Sequence, residues 1–186
     1  MSRNTIMRSM HDLGLAAWFG GSLMGAVGLN AAAGVVTDAR QRSEVANAGW
    51  DRWTPVNAAA IGAHLLGGAG VLAANRDRLV AQRGVGAMTA VKTVLTGVAL
   101  ATTALARAEG RKVSDRSGVP VSSGAVPAAE TPDDVAAAQQ RLRLLQWAVP
   151  ASTAALLVVN AYAGEQQRVS EVRRGVRERF SARLPG

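Results

Sequence analysis

This 186-residue chain contains four long apolar segments that lie between its charged regions. They are the sequence feature that most restricts the possible fold. They run from about 13 to 36, 56 to 74, 85 to 106 and 144 to 163. Each approaches the roughly 20 apolar residues that a helix needs to cross the hydrocarbon core of a bilayer. A surface helix of a soluble bundle would carry a charged stripe, and these segments carry none. We therefore predict an all-α integral membrane four-helix bundle with up-down topology.

The charged segments between these spans define the rest of the predicted organisation. Residues 1–164 form the transmembrane domain, and residues 165–186 form a basic tail that we interpret as a cytoplasmic amphipathic helix. The loop 107–143 begins with a stretch rich in Ser, Gly, Val and Pro, which predicts flexibility. Thr131 is then a candidate N-cap and Pro132 a first helical residue, so a helix should begin near 132 and run into the fourth span.

Arginines flank the spans and give the chain a net charge of +8. This placement favours contact with anionic lipid over nucleic acid. The basic tail lies on the same side as the N-terminus, so we predict a multi-pass protein of the bacterial inner (cell) membrane with both termini cytoplasmic. Aromatic residues near the span ends predict a membrane-interface belt made of Trp50, Trp53, Trp147 and Tyr162.

Small and polar residues recur at helical spacing within each span. Between helices in lipid, packing relies on such residues, so these faces should point into the bundle. The predicted helix-packing residues are Gly14, Gly21, Gly25 and Gly28 in the first span, His64 and Gly67 in the second, Lys92 and Thr96 in the third, and Thr153 and Asn160 in the fourth.

Three residues are candidates for chemistry within the spans. Lys92 is the one full charge, with Asp12 or Asn160 as a possible partner, and a structural role is favoured over transport. His11 and His64 invite a haem or copper site. Their predicted depths differ, however, with His11 at the edge of the first span and His64 near the middle of the second. A hydrogen bond from His64 to a neighbouring helix is favoured, and we predict no metal site, no cofactor and no catalytic residue.

The stretch from His11 to Gly21, His-Asp-Leu-Gly-Leu-Ala-Ala-Trp-Phe-Gly-Gly, resembles the opening helix of small bacterial membrane families. Among them are the copper-resistance-D-like proteins, in which a histidine and a Trp-x-Gly-Gly pattern begin the first span. Taken whole, the chain resembles the actinobacterial respiratory supercomplex associated factors in its length, N-terminal motif and long third loop. That resemblance implies an accessory subunit of the cytochrome bcc–aa3 assembly without redox centres of its own.

These observations give three hypotheses for function. The first is a non-catalytic accessory subunit of a membrane respiratory complex, whose partners are cytochrome bcc and oxidase subunits and lipids. The second is a small haem- or copper-handling membrane protein that uses His11 or His64. The third is a small-solute transporter with Lys92 in its path.

Overall fold

The structure, a computed structural model, describes residues 4–74, 76 and 85–165. The first helical stretch consists of α1 (Thr5–Met24), a π-helical segment (Gly25–Leu29) and α2 (Asn30–Ala33). It is followed by α3 (Ala39–Ala74), α4 (Val85–Ser114), β1 (Val121–Ser123), β2 (Val126–Pro127) and α5 (Asp133–Glu165). The tail 166–186, for which the sequence predicts an amphipathic helix, lies outside the described residues.

Four of these stretches are long and apolar enough to cross a membrane, which confirms the all-helical prediction at this level. They are Thr5–Ala33, Ala39–Ala74, Gly86–Ser114 and Asp133–Gly164. Several extend well beyond the predicted spans: α3 has 36 residues and therefore a length of about 54 Å. Its first turns carry charged residues and continue without a break into the apolar part.

Two antiparallel helix pairs build the bundle. α1 packs along α3, α4 packs along α5, and α1 also contacts α5. The short connection 75–84 predicts close pairing of the second and third spans, but α3 touches α4 only sparsely. The central core consists of Leu15, Trp18, Ala99, Val149 and Leu156.

The charged ends of the helices and the loop between α4 and α5 form a second layer, which we call the cap (residues 34–53 and 107–143). Its loop contains a short hairpin, within the stretch for which the sequence predicts flexibility. β1 and β2 pair as an antiparallel hairpin, and Val121 and Ala125 are 0% and 2% exposed. Burial of these two side chains stabilises a segment whose Ser- and Gly-rich composition is typical of loops.

The predicted helix N-cap at Thr131 is wrong. The Thr131 hydroxyl accepts a hydrogen bond from the Ala128 backbone N–H (2.7 Å) and donates to the Pro120 carbonyl (2.6 Å). Thr131 therefore closes the hairpin loop, and α5 begins two residues later at Asp133. The first carbonyl to accept a helical bond is that of Pro132, from the Ala136 N–H.

Candidate functional site

The closest contact in the bundle is a reciprocal crossing of α1 and α3 built from one short pattern. Both helices carry His-x-x-Gly, as His11–Gly14 and as His64–Gly67. Gly14 lies against the backbone of Ala60 and His64, and Gly67 lies against the backbone of Met7 and His11. A Cβ on Gly14 would lie 2.6 Å from the His64 nitrogen, and one on Gly67 would lie 2.8 Å from the His11 Cα. Only glycine permits this approach.

The two histidines meet where the glycines let the backbones approach. Their rings stack with centroids 4.1 Å apart and planes inclined by 17°. His11 Nδ1 lies 2.9 Å from the His64 carbonyl oxygen, and His64 Nδ1 lies 3.0 Å from the His11 carbonyl oxygen. A carbonyl only accepts, so each Nδ1 carries the proton and donates it. In the neutral rings each Nε2 is consequently an acceptor.

Side chains from the other two helices complete this histidine pair. Asn160 of α5 lies with its Nδ2 3.4 Å from His11 Nε2, in the donor role that the tautomer requires. The Trp18 ring meets His64 edge-on at a centroid distance of 6.2 Å. Trp18 in turn donates from Nε1 to the Thr103 hydroxyl of α4 at 3.1 Å. Residues of all four long helices thus connect to the histidine pair, directly or through Trp18, and His64 is 2% exposed there.

The prediction that His11 and His64 lie at different depths is wrong. It assumed that the second span begins at Val56, whereas α3 begins at Ala39, immediately after a short turn. α1 and α3 therefore run antiparallel from that turn, and the two histidines are almost equally far from it along the chain. Equal distance along antiparallel helices of the same rise places them level.

The ring geometry nevertheless does not fit a shared haem or metal ion. Each imidazole lone pair lies in the plane of its ring, so two nearly parallel rings cannot direct both Nε2 atoms at one metal between them. A bis-histidine haem would instead need the two nitrogens end to end across the iron. In the described ranges no group of three His, Asp or Glu side chains is placed to hold a metal ion.

Lys92 lies half-buried on α4, and the charges that act on it are those of Asp12 and Arg8. Within the described part of the chain no carboxylate oxygen lies within 4.0 Å of its ammonium group. The sequence offered Asn160 as an alternative partner, but the Asn160 amide lies against His11. Asn160 therefore contacts His11, whereas the sequence suggested Lys92 as its partner.

Two tryptophan side chains pack against further glycines of the first helical stretch. Gly21 lies against the Trp53 ring and Gly25 against the Trp50 ring, so both indoles pack on α1. Trp50 and Trp53, two members of the predicted membrane-interface belt, are therefore half-buried. Trp147 and Tyr162, the other members of that belt, are 51% and 58% exposed.

The other predicted packing residues have smaller contacts. A Cβ on Gly28 would approach only Met24 of the same helical stretch, at 3.6 Å, so Gly28 is not a site of close helix approach. Thr153 is fully buried and donates to the Val149 carbonyl of its own helix at 2.8 Å. Thr96 is half-buried on the inner side of α4.

Asn30 joins the bundle to the cap, a role that the sequence did not suggest. Its Nδ2 donates to Gln146 Oε1 at 3.0 Å, and its Oδ1 accepts from Trp50 Nε1 at 2.9 Å. Its backbone carbonyl accepts from the Gly124 N–H at the hairpin tip, at 3.2 Å. The asparagine within the first apolar segment is the sequence signal that could have identified this position, because an amide there requires hydrogen-bonding partners on neighbouring helices.

Within the cap, a cluster of charged side chains joins α4 to α5. Glu109 lies beyond the apolar part of α4, and its side chain is 11% exposed. It accepts a hydrogen bond from Lys112 Nζ (2.8 Å) and lies 3.4 Å from Arg141 Nη1 of α5. The Lys112 hydrogen bond outweighs burial and, with the charges of both cations, lowers the pKa of Glu109 below its ordinary value of 4.5. The group is therefore a carboxylate near neutral pH.

The described geometry defines a class: a chain with four helices long and apolar enough to cross a membrane, two of which are joined by a stacked histidine pair. Comparison with protein-family models, with curated proteins and with solved structures found no match.

Proposed function

We propose that this chain is a non-catalytic accessory subunit of a membrane respiratory complex, inserted in the bacterial cell membrane with both termini cytoplasmic. The observation that carries the proposal is the uncovered outer face of α4. In its most apolar stretch α4 buries 6% of its residues, whereas the other three candidate spans bury 17% to 33%. α4 therefore contributes little to the core of its own bundle.

The outer face of α4 is a row of small residues at helical spacing. Its members are all exposed: Gly86, Ala90, Thr93, Gly97, Ala101 and Ala104. Exposed Val94 and Leu105 border the row. A Cβ on Gly86 or Gly97 would meet no atom of the described chain within 4 Å.

Such a row is the surface that close helix pairing in lipid requires. Small residues let two backbones approach, and the gain is van der Waals contact that lipid chains do not supply equally well. The opposite side of α4, with Ala99 and Thr103, already contacts α5 and Trp18. The outer face is thus available for a helix of another subunit.

Two further arguments support the proposed assembly and orientation. The resemblance to respiratory supercomplex associated factors suggests cytochrome bcc and oxidase subunits as partners. The arginines of the tail favour cytoplasmic termini. The stacked histidines, on which a haem or copper function would depend, are held in place by each other's backbone, and this arrangement suits a packing role better than metal handling.

Crosslinking from α4 in native membranes tests the proposal. The chain contains no cysteine, so a single cysteine is a unique attachment point for a photoactivatable crosslinker. Gly97→Cys should give an adduct with a cytochrome bcc or oxidase subunit. Gly20→Cys is the matched control, because Gly20 is also exposed with no described atom within 4 Å of its Cβ, but lies on α1. Adducts from Gly20 and none from Gly97 would overturn the assignment of this face.

Co-purification in mild detergent provides the second test. Gly97→Leu should leave the thermal midpoint of the isolated chain unchanged or slightly raised, since leucine favours a helix over glycine by about 1 kcal/mol. It should reduce the amount of co-purified cytochrome subunits, whereas Gly20→Leu should not. Absence of cytochromes from the wild-type preparation would remove the respiratory assignment.

A further inference from the structure

A shallow groove between α4 and α5 opens beside the cap. It is lined by Leu105, Glu109, Arg141, Leu144 and Leu145. The three leucines are its apolar floor, and Leu105 and Leu144 are 56% and 75% exposed. Leu105 is close to the end of the third apolar segment, and Leu144 begins the fourth. The floor therefore belongs to the outermost apolar layer of the molecule, and the charged rim lies just beyond it.

The charged rim consists of the lining residues Glu109 and Arg141 and of Lys112, which is bonded to Glu109, and it carries more positive than negative charge. Glu109 is the single carboxylate between Lys112 and Arg141, so one of the two positive charges is not compensated. In the described ranges neither cation has an ion pair with any other acid. The side chains of Lys112 and Arg141 are 55% and 61% exposed, and so both can contact a second anion without leaving Glu109.

We propose that this groove is a binding site for one anionic glycerophospholipid. The phosphate contacts Arg141 and Lys112, and an acyl chain lies along Leu105, Leu144 and Leu145. A phosphate supplies the anion that the rim lacks, and arginine binds it through parallel N–H donors. The apolar floor beside the rim can contact an acyl chain, which a phospholipid has and a small soluble anion does not.

Binding is tested on the purified full chain in a non-ionic detergent. Dioleoylphosphatidylglycerol, dioleoylphosphatidylcholine and inorganic phosphate are titrated separately, and bound lipid is counted by native mass spectrometry while the thermal midpoint is recorded. We expect one phosphatidylglycerol to bind and to raise the midpoint. Equal binding of phosphatidylcholine would overturn the charge argument, and an equal effect of inorganic phosphate would overturn the acyl-chain argument.

Matched charge variants separate the site from the overall charge of the protein. Arg141→Gln with Lys112→Gln should lower the affinity for phosphatidylglycerol about tenfold or more, since each basic residue contributes about 1 kcal/mol to anionic lipid contact. Arg40→Gln with Arg52→Gln removes the same charge from exposed positions of α3 and should leave the affinity unchanged. An equal loss in both double variants would overturn the proposed site. If the first double variant does not fold, Arg141→Gln alone must still weaken binding and Arg141→Lys must restore most of it.

Discussion

At the scale of single residues, the two histidines act as one unit. Each donates Nδ1–H to the backbone carbonyl of the other, and the two rings stack, so each histidine contacts both the backbone and the ring of its partner. Inside a bundle with little hydrophobic drive between helices, such bonds contribute to helix pairing by about 1 kcal/mol each. The glycines three positions later admit the close approach that the bonds need. The four-residue pattern His-x-x-Gly thus supplies both the hydrogen-bonding side chain and the glycine that lets the backbones approach.

A double-mutant cycle measures this reciprocity. We expect His11→Ala and His64→Ala each to lower the thermal midpoint, and the double variant to cost less than the sum. The coupling should be about 1 kcal/mol and come from the ring stacking, since the backbone carbonyls remain in the alanine variants. Unfolding in detergent is followed by tryptophan fluorescence, because Trp18 contacts the pair. Leu66→Ala, at an exposed position of α3, serves as the control. Additive losses would show that the rings do not depend on each other.

At the scale of helices, the side of α1 that faces α3 changes its partner along its length. Near its start the backbone of α3 lies directly on Gly14, and further along the Trp53 and Trp50 rings fill the space over Gly21 and Gly25. The distance between the two helices is therefore set by backbone contact at one end and by indole thickness at the other.

Two glycine-to-alanine substitutions on α3 test this contact, because one should lower the stability and the other should raise it. Gly67→Ala should lower the midpoint, because its Cβ would overlap the His11 backbone, where no flexible atom can yield. Gly62→Ala lies on the same helix with no described atom within 4 Å of its Cβ. It should raise the stability by about 0.5–1 kcal/mol through helix propensity alone. A loss at Gly62 as large as that at Gly67 would contradict the contact.

Asn30 connects the hairpin to the helices of the bundle, so we expect the hairpin to be less stable without its side chain. Asn30→Ala removes the partners of Gln146 and Trp50, two hydrogen bonds of about 1 kcal/mol each. We expect faster cleavage of the loop 115–132 in limited proteolysis, while the apolar helices remain protected. Thr37→Ala, an exposed residue of the turn before α3, provides the control for substitution near the cap. An unchanged cleavage rate would mean that the hairpin is held by its own contacts.

At the scale of the whole molecule, the spacing of residues along the chain was sufficient to predict the helices. It was also sufficient to select packing glycines such as Gly14 and Gly67, because helical spacing alone identifies the residues that share one face of a helix. It was not sufficient for features that depend on where a helix starts. α3 begins at Ala39, and this shift brings His64 level with His11 and places Trp50 on α1. The hairpin was missed because its stability comes from burial of Val121 against other elements, which its own composition does not reveal.

Within the cap, Glu109 of α4 is joined to Arg141 of α5, and pH reveals that contact. The lowered pKa of Glu109 means that its ion pairs contribute fully above pH 4.5 and are lost as the pH falls through the lower folded-state pKa. Glu109→Gln should therefore lower the thermal midpoint near pH 7, by an amount equivalent to about 1–2 kcal/mol. The difference between wild type and variant should shrink as the pH falls below 4.5. Asp133→Asn, at an exposed carboxylate with no ion pair in the described structure, should show a smaller difference at pH 7. If the difference at Glu109 stayed constant down to pH 3, the charge of its carboxylate would not be what joins α4 to α5.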